Sequence, residues 1–195
     1  YEISCSLVGS EMCIRDSIAA LSEPNCNITL NIGKYEIRGQ DYTFTFYCLS
    51  QEEWDSRSLK TKAGYSDATQ INAVSPIGIL EYAGRRLVFT GDSNNSNEKY
   101  YCETYPYVDC DVLKVAHHGS RTSSSEEFLK HVKCEYAVIS VGDGNSYGHP
   151  EQEALDRLKA NGIQKIHRTD KCGNVVLTVS HTGEMAFSCE KQCAA

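Results

Sequence analysis

The pattern of hydrophobic and polar positions in residues 28–90 predicts strands. Tyr42–Cys48 alternates apolar and polar residues with the two-residue period of a half-buried strand. Ile77–Tyr82 and Arg86–Thr90 are apolar runs separated by Ala-Gly-Arg, which predicts a β-hairpin. Residues 28–32 and 35–37 flank a glycine-containing turn and predict an earlier strand pair.

Beyond residue 111, strand-like and helix-like segments alternate. The predicted elements are strands at 112–116, 136–141 and 163–168, helices at 126–132 and 151–161, and a hairpin at 175–179 and 185–188. Ser123 and Ser124 each precede a glutamate by three residues, so either could cap helix 126–132. Residues 93–108 are predicted to be mostly loop or a weak helix. The β-α-β order predicts a layered α/β domain with its helices outside the sheet.

Composition narrows the functional classes. The chain has 195 residues, of which 41% are hydrophobic, and a net charge of −7, which argues against a broadly basic nucleic-acid-coating surface. A phosphodiester substrate remains compatible with this charge, because a metal site supplies positive charge locally. No apolar run reaches the length of a membrane span, so the chain is not expected to cross a bilayer.

The cysteine content bears on redox environment. The ten cysteines contain no Cys-x-x-Cys pair, which argues against a structural zinc ribbon. Disulfides in an extracellular or cell-surface setting and free thiols in a reducing cytoplasm both fit the count. We favour the former, with Cys189–Cys193 or Cys102–Cys110 as candidate pairs.

The N-terminal segment resembles a sequence that does not come from the gene itself. Residues 6–17 read SLVGSEMCIRDS, and the LVGSEMCIRD portion resembles one translated frame of a transposase-based sequencing adapter. The alternative is a native, mildly amphipathic segment. We therefore expect residues 1–17 to be non-native and residues 18–195 to form a partial domain whose upstream part is missing.

Two predicted strands end in metal-competent side chains. Asp92 follows Thr-Gly at the end of one strand, and His117 and His118 end another. In α/β proteins such strand ends form sites, and carboxylate with imidazole suits zinc, manganese or iron. Because adjacent side chains of an extended backbone point to opposite sides, one histidine is expected to bind metal and the other to contact substrate or transfer a proton. Taken alone, Gly-Asp is more often a turn, and a His-His pair more often a surface feature.

Four motifs occur in order along the chain. They are LEYAGRRLVFTGD at 80–92, LKVAHHGSRTS at 113–123, YAVISV at 136–141 and YGHP at 147–150. Together they resemble the metallo-β-lactamase-fold domain of ComEC-type competence proteins and their free-standing relatives. The resemblance covers about residues 74–180, fits 27–60 loosely and excludes 1–17.

The resemblance implies an αββα sandwich holding two divalent ions, zinc or manganese, that hydrolyses phosphodiesters such as DNA. It assigns Asp92 as the ligand that bridges the ions and the His-His-Gly-Ser segment as the source of a late histidine ligand. We favour His118 as that ligand, with His117 facing substrate. His149 is expected at the rim of the site, in contact with phosphate or aiding the leaving group.

Three hydroxyl side chains precede helix 126–132 and are candidate phosphate contacts. They are Ser120, Thr122 and Ser124, and the helix N-terminus behind them favours an anion. Helix capping is the simpler role for each hydroxyl, and we favour it.

The sequence departs from the family pattern in one large respect. The fold's main ligand cluster is a His-x-His-x-Asp-His loop, and no histidine occurs before His117. The N-terminal half of the fold is thus expected to be largely missing, and the chain as given to be inactive or nearly so. The alternatives are a metal-free scaffold or binding domain on the same fold and an esterase acting, for example, on phosphocholine.

Overall fold

The computed structural model describes residues 33–57, 72–163 and 165–191, which form nine strands and five α-helices. The strands are β1 Lys34–Arg38, β2 Tyr42–Tyr47, β3 Ile77–Tyr82, β4 Arg85–Phe89, β5 Val112–Lys114, β6 Tyr136–Ile139, β7 Lys165–Arg168, β8 Val175–Val179 and β9 Met185–Cys189. The helices are α1 Gln51–Arg57, α2 Asn95–Thr104, α3 Glu126–Val132, α4 Gln152–Ala160 and α5 Thr169–Cys172. The predicted strand at 28–32 and the adapter-like segment lie outside the described residues.

Seven strands form one mixed sheet in the order β1-β2-β3-β4-β5-β6-β7. Neighbouring strands from β1 to β4 are antiparallel, and those from β4 to β7 are parallel. The parallel half matters for function, because parallel strands bring their carboxyl ends to one edge of the sheet.

The β3–β4 hairpin forms where the sequence predicts it. Tyr82 pairs with Arg85 across a two-residue turn, in which Ala83 has φ 48° and Gly84 has φ 76°. Two positive φ values are the signature of a type I′ turn, whose twist matches that of the flanking strands. Strand β4 is thereby aligned so that it ends just before Asp92.

The hydrophobic core lies between the sheet and the helices that follow its parallel strands. Leu113 of β5 and Ile139 of β6 are fully buried, and Phe128 of α3 and Leu158 of α4 belong to the same cluster. Residues of β6 alternate between partly buried and buried, so one face of this strand packs in the core and the other is partly covered. Burial of these apolar side chains fixes the helices on the sheet and positions the loops between them.

The β8–β9 hairpin forms a separate two-stranded sheet. Phe187 of β9 stacks on Tyr136 and His167, with ring centroids 5.2 and 4.4 Å apart. At the hairpin turn, Arg85 Nε donates to the Gly183 carbonyl at 2.6 Å. The described residues thus form an α/β fold, as predicted, built on a mixed sheet, while the specific αββα sandwich stays a prediction.

Helix α2 is a ten-residue helix in the segment for which the sequence predicts mostly loop or a weak helix. Asn94 caps it by accepting from the Asn97 backbone N–H, and Glu98 and Tyr101 are buried along one face. The sequence of this segment shows no apolar helical periodicity, because the side chains that the helix buries include a carboxylate and a tyrosine. None of the described helices is long and apolar enough to cross a membrane.

The candidate disulfides are not formed. Cys102, Cys110 and Cys189 are free thiols. Cys110 is buried before β5, where its thiol lies beside that of Cys134, while Cys102 lies half-buried on α2. Cys172, at the end of α5, is engaged in a disulfide.

Candidate functional site

Loops at the carboxyl ends of β4, β5 and β6 meet at one edge of the sheet. The loop after β4 carries Asp92, the turn after β5 carries His117 and His118, and the loop after β6 leads to His149. Thr90 Oγ1 donates to the Lys114 carbonyl at 2.7 Å, which ties the first two strand ends together. The structure therefore brings together the two predicted metal ligands and the two other histidines predicted to act on substrate.

Asp92 and His118 face each other. His118 Nε2 lies 3.6 Å from Asp92 Oδ1, and His118 Nδ1 lies 2.6 Å from the Ser140 carbonyl. A carbonyl only accepts, so Nδ1 carries a proton and Nε2 is the ring nitrogen that faces Asp92. The hydrogen bond to the Ser140 carbonyl fixes the ring orientation, as such bonds do for metal-binding imidazoles.

The backbone at the two histidines is not extended. His117 and His118 lie in a 3₁₀ turn from Ala116 to Gly119, with φ values of 46° and 55°. The assumption that the two side chains point to opposite sides of a strand is therefore wrong. The left-handed backbone turns both rings toward the same edge, and the His117 N–H donates to the Gly91 carbonyl at 3.0 Å.

Four aromatic rings form a row that leads away from Asp92. Centroids of successive rings are 6.3 Å apart for His118 and His117, 5.6 Å for His117 and His149, and 6.0 Å for His149 and Tyr147. The outermost ring, Tyr147, is 81% exposed. The row places the His149 ring between those of His117 and Tyr147, and its location at the rim of a metal site stays a prediction.

Burial favours the neutral form of two imidazoles in this row, those of His117 and His149. Burial lowers the pKa of His117 and of His149, although nearby carboxylates oppose the change: Asp92 for the first, Glu151 for the second. The Nδ1 atoms of both rings are buried and have no hydrogen-bond partner within the described part of the chain. A neutral imidazole with a free ring nitrogen is suited to accept or donate a proton.

Residues 120–125, here named the serine loop, are held from two sides. Glu98 of α2 is fully buried and accepts from the backbone N–H groups of Ser124 at 2.6 Å and Ser125 at 2.8 Å. Burial raises the pKa of Glu98, while these hydrogen bonds and the charge of Arg157 oppose the rise. Arg157 of α4 donates to the carbonyls of Ser124 at 2.9 Å and Ser123 at 2.8 Å.

The serine-loop hydroxyls are used differently from the sequence prediction. Ser125 caps α3 by accepting from the Phe128 N–H, so the predicted caps Ser123 and Ser124 are wrong. The Ser120 and Thr122 hydroxyls bond each other at 3.0 Å. Their phosphate contacts stay predictions, as does that of Ser124, whose 1% exposure argues against it.

Sequence reasoning missed several residues that shape this site. Lys114 lies at the end of β5, and burial lowers its pKa while the Asp92 charge opposes the change. A lysine inside the apolar run VLKVA was the available signal. No sequence signal pointed to Glu98 or Arg157, because each hydrogen-bonds to residues more than 25 positions away. A cavity of about 320 Å³ lined by Tyr47, Ile79 and other residues does not include the site.

Comparison with known proteins supports the resemblance to competence proteins. The chain is 36% identical over 109 residues to ComE operon protein 3 of Bacillus subtilis. It is 32% identical over 159 residues to competence protein ComA of Neisseria gonorrhoeae, and 30% identical over 115 residues to recombination protein 2 of Haemophilus influenzae. No family model matches the sequence.

These matches take in much of this chain and a small part of each relative. They cover 56%, 80% and 57% of the chain, and 14%, 23% and 14% of the respective relatives. By sequence, the chain is therefore similar to bacterial competence proteins over less than a quarter of their length.

Proposed function

We propose that the chain is part of a metal-dependent phosphodiesterase of the metallo-β-lactamase fold, which acts on DNA during competence-related uptake. The observation that carries the proposal is the His118–Asp92 pair, with 3.6 Å between Nε2 and Oδ1. Two ligand atoms about 2.0–2.1 Å from one tetrahedral zinc ion lie about 3.3 Å apart, so a small shift would let both bind. The competence relatives support the link to DNA.

The other two histidines have substrate-directed roles in this proposal. His117 would contact the substrate or transfer a proton, and His149 would contact phosphate or aid the leaving group. In support of these roles, the Nδ1 atoms make no hydrogen bond among the described residues, and that of His149 lies 3.8 Å from Glu151 Oε1. Ser120 and Thr122 lie in the serine loop beside them and are the proposed phosphate contacts.

The complete site needs ligands beyond Asp92 and His118. Residues 1–116 contain no histidine, so the proposed zinc or manganese pair would take further ligands from other parts of a longer protein. Metal ions held there would supply Lewis-acid activation of a water and positive charge for the phosphoryl oxygens. The chain alone is expected to hold metal weakly and to show no nuclease activity.

Metal titration tests the ligand assignment. We expect the oxidised 195-residue chain to bind Zn²⁺ weakly by calorimetry, and Asp92→Asn or His118→Asn to abolish the signal. His181→Asn is the control, because His181 is exposed on the β8–β9 turn. Tight binding of two ions would contradict the incomplete site, and an unchanged titration for His118→Asn would exclude that ligand.

Recovery of the upstream gene tests the activity itself. A His-x-His-x-Asp-His loop in that sequence would support the hydrolase, and its absence would support the metal-free scaffold. The longer protein is then assayed on DNA oligonucleotides, bis(4-nitrophenyl) phosphate and 4-nitrophenylphosphorylcholine, with Asp92→Asn as the inactive control. Hydrolysis of the choline ester alone would favour the esterase alternative.

A further inference from the structure

Three metal-competent side chains converge at the end of the sheet that carries β7. They are His167 of β7, Cys172 at the end of α5 and Cys189 at the end of β9, and their ligand atoms all lie within 4.8 Å of one another. His167 Nδ1 and Cys189 Sγ are 3.7 Å apart. The three residues come from three different elements, so their meeting is a product of the tertiary fold.

The spacing suits a tetrahedral ion. Zinc binds imidazole nitrogen at about 2.1 Å and thiolate sulfur at about 2.3 Å, which places the nitrogen and sulfur ligands of one ion about 3.6 Å apart. The observed 3.7 Å between His167 and Cys189 matches that value. Two sulfurs on one zinc ion lie about 3.8 Å apart, within the 4.8 Å that bounds the Cys172–Cys189 separation.

Contacts with neighbouring residues hold the three side chains in place. The His167 ring stacks on Phe187 with an interplanar angle of 16°, which fixes the direction of its nitrogens. The Lys191 N–H donates to the Cys172 carbonyl at 2.9 Å, so the segment after β9 is tied to the end of α5. An ion bound by these side chains would therefore link β7, α5 and β9, which the ring stack and this hydrogen bond already hold together.

The redox state of Cys172 decides whether the set is available. Cys172 is disulfide-bonded, whereas Cys189 is a free thiol. A disulfide sulfur has no thiolate charge to offer, so only two ligands are present in this state. Reduction would release the third ligand beside the other two.

We propose that His167, Cys172 and Cys189 form a binding site for a soft divalent ion such as Zn²⁺, which opens when the disulfide of Cys172 is reduced. A dithiol or phosphine reductant supplies two electrons, and the disulfide takes up two protons to give two thiols. The ion then binds the two thiolates of Cys172 and Cys189 and neutral His167, and two protons are released. Water or another donor fills the fourth position.

Cobalt substitution tests the site directly. Co²⁺ is titrated into the full chain, with and without prior reduction by a phosphine. We expect reduced protein to show one equivalent of a thiolate-to-cobalt charge-transfer band in the near ultraviolet that Zn²⁺ displaces, and oxidised protein to show none. Cys189→Ser should remove most of this band, and His167→Gln should weaken cobalt binding by about tenfold or more.

Matched variants separate this site from other ligands. Cys102→Ser removes a different half-buried free thiol and should leave the cobalt spectrum unchanged. Asp92→Asn should also leave it unchanged, so failure of the proposed hydrolase site would not alter the result. As a check that does not depend on cobalt, Zn²⁺ should raise the Tm of reduced wild type and not that of Cys189→Ser.

Two results would overturn the proposal. One is an equal charge-transfer band for reduced wild type and a folded Cys189→Ser variant, which would place the thiolate ligands elsewhere. The other is an absence of the band from reduced wild type, which would leave the 3.7 Å contact as an ordinary thiol–imidazole hydrogen bond.

Discussion

A Cβ atom on Gly119 would lie only 2.5 Å from the Cβ of Pro150. The turn that carries the two candidate histidines therefore packs directly against the start of the α4 segment. The Glu151 N–H completes the contact by donating to the Gly119 carbonyl at 2.9 Å. Gly119 is needed both for this approach and for its φ of 85°.

Gly119→Ala should lower the free energy of unfolding by about 2–4 kcal/mol, combining backbone strain with overpacking. The measurement is chemical denaturation. Gly144→Ala is the matched control, because Gly144 has φ 64° and open space around it, and it should cost about 1–2 kcal/mol. Equal losses in both variants would mean that the Pro150 contact adds nothing.

Glu98→Gln should lower the free energy of unfolding by about 2–3 kcal/mol, because the amide replaces one acceptor by a donor facing a backbone N–H. Urea denaturation at neutral pH measures this loss. Glu103→Gln, on the exposed side of the same helix, should have no clear effect. A near-neutral Glu98→Gln would indicate that Glu98 is protonated in the folded protein.

Arg157→Lys should loosen the serine loop, because one ammonium cannot reach the carbonyls of Ser123 and Ser124 in the geometry of the guanidinium. We expect faster hydrogen exchange at the backbone amides of residues 123–125, measured by mass spectrometry. Arg121→Lys alters an exposed pair with Glu151 and serves as the control. Unchanged exchange for Arg157→Lys would show that Glu98 alone holds the loop.

Cys102 should resist alkylation. Burial raises the pKa of its thiol to about 12, so at pH 8 only about one molecule in ten thousand carries the thiolate. The rate of iodoacetamide labelling at Cys102 should rise about tenfold per pH unit up to pH 10. Peptide mass spectrometry gives the rate, with urea-unfolded protein as the control. Fast labelling of the folded protein at pH 8 would contradict the burial argument.

Local sequence patterns predicted the elements that local chemistry determines. Strand β3 and helix α3 have the predicted bounds, and the predicted hairpin after β3 forms with Arg85 in β4 rather than in the turn. Apolar periodicity and turn residues act over a few positions, so they are legible in a single sequence. The sequence also predicted that Asp92 lies near His118, because the carboxyl ends of parallel strands share one edge of a sheet.

Long-range contacts account for what the sequence did not reveal. The left-handed backbone at His117 and His118 leads directly into Gly119, against which the distant Pro150 packs. Ser125 rather than Ser123 caps α3, since Ser123 is occupied with the Ser93 carbonyl at 2.7 Å. Pro150 and Ser93 are both distant in sequence from the residues they contact, so no short motif predicts these contacts.

The way in which the serine loop is held has a consequence for ligand binding. Glu98 and Arg157 keep the loop in place with protein groups alone, so its conformational entropy is lost during folding rather than on association. An anion reaching this edge would meet a preorganised surface and lose less affinity to loop ordering. Its residence time would then be set by desolvation and direct contacts rather than by the opening of a gate.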